Sequence, residues 1–108
     1  MITSHILNIS TGKPAEGVDA VLFFQENNNW TEIAKSKTNS DGRIKEWLSK
    51  EPSAGVYKIR FETKEYFDKN SIATFYPYVE IVFEIKSNEH YHIPLLLSPF
   101  GYSTYRGS

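Results

Sequence analysis

The stretch VYKIRFE, residues 56–62, alternates without a break. In an extended chain Tyr57, Ile59 and Phe61 fall on one side, and Val56, Lys58, Arg60 and Glu62 on the other, because successive strand side chains leave opposite faces. An apolar face backed by a charged one describes a strand lying on a core with its other side in water. YVEIVFEI, residues 78–85, repeats the pattern, with Val79, Ile81, Phe83 and Ile85 opposing Tyr78, Glu80, Val82 and Glu84. In VDAVLFF, residues 18–24, Val18, Ala20, Leu22 and Phe24 share a face against Asp19, Val21 and Phe23.

Turn-forming clusters separate these runs: TGKPAEG at 11–17, ENNN at 26–29, NSDG at 39–42, EPSAG at 51–55 and KSNE at 86–89. Short strands punctuated this often predict an all-β fold, an antiparallel sandwich or barrel. Only TKEYFDK, Thr63 to Lys69, fits a helix, of about two turns. The 108 residues suit one domain spanning 1–108, and 40% hydrophobic residues supply enough apolar surface to exclude a disordered chain.

Charge narrows the function. The net charge is −1 and the twelve Lys and Arg are scattered, so no basic face predicts nucleic-acid binding. With no Cys, a catalytic thiol, a disulfide frame and a Cys-based zinc site are all excluded. No stretch approaches the 18 or so apolar residues of a membrane span. MITSHILNIS lacks the basic and apolar regions of a signal peptide, so the expectation is a cytoplasmic protein unless a leader has been removed.

Three histidines are the main candidates for chemistry. His90 and His92 flank Tyr91, and period two sends both to the same face. His5 alternates in register with Leu7 and Ile9. A His-x-His pair occurs in metal sites, but no Asp or Glu stands at a spacing that would complete a ligand set, so no metal or other cofactor is expected. Arg43 follows the Asp41-Gly42 turn. There it reads as a solvated strand residue or as a planar fork for an anionic or carbonyl-rich ligand.

HYHIPLLLSPFGYSTYRGS, residues 90–108, resembles the end of the 5-hydroxyisourate hydrolases, the transthyretin-related proteins of urate degradation, whose hallmark is a closing Tyr-Arg-Gly-Ser. SHILNISTGKPAEGV is similar to that family's N-terminal motif, SDGR to its Arg turn, and GVYKIRFETKEYF and FYPYVEIVF to its central blocks. Two positions depart: Asn8 stands where the motif usually has Asp, and Tyr78 follows Pro77 where an acidic residue is common.

The resemblance implies a transthyretin-like sandwich of two antiparallel sheets with one short helix. It also implies a homotetramer, a dimer of dimers, with active sites in the channel between dimers and the chain end held there by neighbouring subunits. The activity implied is metal-free hydrolysis of a cyclic amide, 5-hydroxyisourate, to 2-oxo-4-hydroxy-4-carboxy-5-ureidoimidazoline. Carried onto this sequence, the catalytic set falls on His5, Arg43, His92 and Ser108, with Arg43, Tyr105 and Ser108 binding substrate and His90 in a supporting or channel-wall place. His92 is assigned over His90 because the family's His stands two residues before the Pro of Pro-Leu-Leu-Leu. The non-enzyme alternative is a thyroid-hormone carrier of the transthyretin type. An immunoglobulin-like interaction module would give similar alternation but explains neither the histidines nor the ending.

Overall fold

A computed structural model describes all residues, 1–108. Nine strands form two sheets, with one helix between β6 and β7. One sheet contains β1 (Ile2–Asn8), β2 (Lys13–Pro14), β5 (Arg43–Ile44), β8 (Tyr91–Ser98) and β9 (Gly101–Thr104). The other runs β4-β3-β6-β7, from β3 (Asp19–Glu26), β4 (Asn29–Lys37), β6 (Gly55–Phe61) and β7 (Val79–Ile85). Helix α1 spans Thr63–Lys69, where its pattern places it, and buries Phe67.

The alternation read from the sequence sorts the side chains as expected. Tyr57, Ile59 and Phe61 of β6, Ala20 and Leu22 of β3, and Val79, Ile81 and Ile85 of β7 are buried. They meet Ile2 and Ile6 of β1 and Ile93, Leu95 and Leu97 of β8 across the sandwich. Burying each large apolar side chain contributes about 1.5–3 kcal/mol. This single core holds both sheets together.

The strands are antiparallel with one exception. β1 and β8 run parallel, with Thr3 opposite His92 and His5 opposite Pro94. Parallel neighbours need a long crossover, and here the crossover is the whole second sheet. Buried Ser4 pins the pair, its hydroxyl donating to the Ile93 carbonyl at 2.7 Å. On the other edge of β1, β5 pairs at Ser4 and His5 while β2 pairs at Leu7 and Asn8. Because Ile2, Ser4, Ile6 and Asn8 point inward, Thr3, His5 and Leu7 face out, on the side where β8 presents His92, Pro94 and Leu96.

Two turns set registers that matter below. Asn27 and Asn28 both adopt positive φ, 50° and 66°, forming the two-residue β3–β4 hairpin whose twist matches that of its strands. At 39–42 the Asn39 side chain accepts from the amides of Asp41 and Arg43, at 2.9 and 3.0 Å. Gly42 there has φ 73°, and a Cβ would meet the Ile6 carbonyl at 2.5 Å. Only glycine lets this turn approach β1 closely enough to deliver Arg43 opposite His5.

Candidate active site

Three strands bring the chemical side chains together. β1 supplies Thr3 and His5, β5 supplies Arg43, and β8 supplies His92 with His90 just before it. Thr3, Arg43, Lys45, His90, His92 and Ser108 line one open groove of about 360 Å³. His5 borders it, its Cα paired with that of Arg43.

Electrostatics favour neutral imidazoles. Burial, then the nearby Arg43 guanidinium, holds the pKa of His5 below the ordinary 6.5, partly opposed by the backbone and carboxylate of Asp41. Burial, then Arg43, then the other two histidines, lowers His92 from the same value. Both causes disfavour the charged form, so at pH 7 each ring has a lone pair to offer. Arg43 itself is uncommitted: of the three arginines, Arg60 pairs with Glu62 and Arg106 with Glu89, while no carboxylate pairs with Arg43. A fixed positive charge thus faces the groove beside two proton acceptors.

The tail reaches the groove by contacts within the chain. Arg106 pairs with Glu89 and lies over the Tyr91 ring, 4.7 Å from its centroid. The Gly107 amide then donates to the His92 carbonyl at 2.9 Å, and Ser108 follows into the groove. A Cβ at Gly107 would lie 2.4 Å from His92 Cδ2 and 3.2 Å from Pro94 Cγ. The backbone crosses the imidazole where no side chain fits. Within the chain, Glu89, Tyr91 and His92 anchor the tail.

Arg43, His92 and Ser108 line the groove together, His5 stands beside Arg43 and within electrostatic reach of His92, and Tyr105 does not join them within the chain. Its exposed ring lines a separate groove with Ile81, Phe83, Tyr91 and Arg106, where His92 forms the shared wall. The turn of the tail across His92, after β9 ends at Thr104, leaves Tyr105 on that other side. Among the groove residues, Thr3 and Lys45 went unread in the sequence, as did the close approach of Gly107 to His92 beside it. Thr3 stands two before His5 and Lys45 two after Arg43, so period two would have placed each beside its neighbour.

The two departures from the family pattern lie away from the groove. Asn8 is buried on the core side of β1, where it donates to the Tyr66 hydroxyl at 3.1 Å and accepts from the Ser10 hydroxyl at 2.6 Å. Tyr78 lies just before β7 of the opposite sheet, with the Arg60 guanidinium 3.7 Å over its ring.

Comparison with known proteins gives the same answer as these residues. The 5-hydroxyisourate hydrolase of Salmonella dublin is 48% identical over 110 residues, covering 100% of this chain and 81% of that protein. The solved 5-hydroxyisourate hydrolase of Klebsiella pneumoniae superposes with a TM-score of 0.90 at 37% identity, covering 99% of this chain and 98% of that one. Sea bream transthyretin in complex with thyroxine superposes with a TM-score of 0.93 at 32% identity, covering 98% and 93%. With the family signature matched across residues 2–107 and relatives aligned from end to end, the chain belongs to the HIUase/Transthyretin family.

Proposed function

We propose that this protein hydrolyses 5-hydroxyisourate to 2-oxo-4-hydroxy-4-carboxy-5-ureidoimidazoline, with His5, Arg43, His92 and Ser108 as its working residues. The observation that carries the reading is an unpaired guanidinium and the depressed-pKa imidazole of His92 in one groove, with the depressed-pKa imidazole of His5 within electrostatic reach of both, in a chain 48% identical to a named hydrolase of that substrate. A thyroxine carrier shares the fold, but a carrier has no use for paired proton acceptors beside a free cation.

Opening a cyclic amide with water needs a base for the water, a donor for the developing oxyanion and a proton for the departing nitrogen. A neutral imidazole of His5 or His92 takes the proton from water as oxygen attacks the acyl carbon. Arg43 donates to the carbonyl oxygen, whose negative charge grows in the tetrahedral intermediate. The protonated imidazole returns its proton to the ring nitrogen as the carbon–nitrogen bond breaks. Ser108 orients water or substrate. No Ser-His-Asp relay or nucleophile elbow accompanies it, so a covalent acyl-serine step is not required.

We further propose that copies of the chain assemble over this face as a homotetramer. Leu7 and Leu96 stand opposite each other on the outer side of the sheet, only half buried. An apolar pair beside a catalytic groove is suited to cover by another subunit.

Ultraviolet spectroscopy of freshly generated 5-hydroxyisourate tests the activity. Its absorbance should decay far faster with the protein than without it. Equal rates would remove the hydrolase reading.

A further inference from the structure

The hydrolysis above leaves Thr3 and His90 without a task, yet the tightest side-chain contacts in the groove belong to them. The Thr3 hydroxyl oxygen lies 2.8 Å from His90 Nε2 and 2.7 Å from His92 Nδ1. The two rings, with centroids 6.2 Å apart, are joined through this oxygen. A hydroxyl has one proton. It donates to one ring and accepts from the other, so the tautomers of His90 and His92 are coupled.

Two arrangements satisfy that rule. In the first, His92 donates Nδ1–H to Thr3, Thr3 donates to His90 Nε2, and His92 Nε2 carries the lone pair. In the second every bond is reversed and His92 Nε2 carries the proton. The Arg43 cation in the same groove favours a lone pair on the unbonded Nε2 over a second N–H dipole there.

We propose that Thr3 is a positioning residue that holds His92 in the Nδ1–H tautomer, with Nε2 free as the base, and links it to His90 as a short proton relay. The catalytic consequence rests on the hydrolase reading. The tautomer assignment does not. When His92 Nε2 takes a proton from water, its Nδ1 proton passes to Thr3 and the Thr3 proton passes to His90 Nε2. Exposed His90 then releases its Nδ1 proton to solvent. One proton enters the relay and one leaves, no electrons are exchanged, and the relay itself gains no charge, while the substrate oxygen takes up the negative charge that Arg43 faces. Reversal of the relay supplies the proton for the departing nitrogen.

The test combines ring-nitrogen NMR of histidine-labelled protein with steady-state kinetics on wild type, Thr3→Val, Thr3→Ser and His90→Phe. Wild-type His92 should carry its proton on Nδ1, against the Nε2–H preference of a free histidine side chain. Thr3→Val keeps the shape of a β-branched residue and should move the proton to Nε2, lowering kcat by at least about tenfold with KM within about twofold. Thr3→Ser should restore both. His90→Phe removes the acceptor for the Thr3 proton and should also move His92 to Nε2–H, which keeps the proposal open to refutation should Thr3→Val fail to fold. A wild-type His92 protonated on Nε2, or a Thr3→Val protein with unaltered kcat, would overturn the proposal. Nδ1–H in a wild-type protein that hydrolyses nothing would instead overturn the hydrolase reading and support the tautomer assignment.

Discussion

Three residues carry consequences out of proportion to their size. His5 and His92 both have pKa values below the ordinary 6.5 because they are partly buried beside Arg43, so each is neutral at pH 7 and gains its proton only in acid. The pH profile of kcat/KM, which reports the free enzyme, should therefore be flat near neutrality and fall on acidification, with its midpoint below 6.5. Folding stability should fall over the same range, because the unfolded chain takes up these protons at higher pH than the folded one. A midpoint above 6.5 would contradict the assignment of either ring as base. Gly107 is the third. Alanine there would drive a Cβ to 2.4 Å from the His92 ring, and Gly107→Ala should cost at least about tenfold in initial rate while circular dichroism stays unchanged. At this scale the sequence exposed what chemistry demands, two histidines, an arginine and a serine. It hid Thr3 and Gly107, because their roles exist only where β8 lies beside β1 and the tail folds over it.

The elements themselves were mostly written locally. The alternation of β3, β6 and β7 and the helix at Thr63–Lys69 lie where nearest-neighbour periodicity puts them, while the turn cluster at 11–17 also holds the short strand β2. The β3–β4 hairpin shows how residue choice supports this: Asn27 and Asn28 occupy left-handed backbone, which asparagine tolerates and β-branched residues resist. Asn28→Val should destabilise the protein by about 1–2 kcal/mol, read as a lower denaturant midpoint. No change would mean that the hairpin carries no such preference. The parallel pairing of β1 with β8 was not legible, since no local pattern distinguishes parallel from antiparallel partners. That pairing is what makes Thr3 the neighbour of His92, so the candidate site depends on the least local feature of the fold.

For the whole molecule, the sandwich commits one face of each sheet to a shared core and leaves the other face of the β1–β8 sheet to carry both the groove and the apolar Leu7–Leu96 pair. Assembly over that face should give a particle with the mass of four 12.4 kDa chains in light scattering, and Leu96→Glu should lower the mass by placing an unpaired charge in the interface. A wild-type protein that runs as a single chain would remove the tetramer. The groove's chemistry is tested most directly at Arg43, the one arginine without a carboxylate partner and the cation that both depressed histidines share. The decay of freshly generated 5-hydroxyisourate should be followed with equal amounts of folded wild-type and Arg43→Ala protein. The expected result is a loss of turnover of at least about a hundredfold, and near-normal turnover in the variant would contradict a hydrolytic site built from His5, Arg43 and His92.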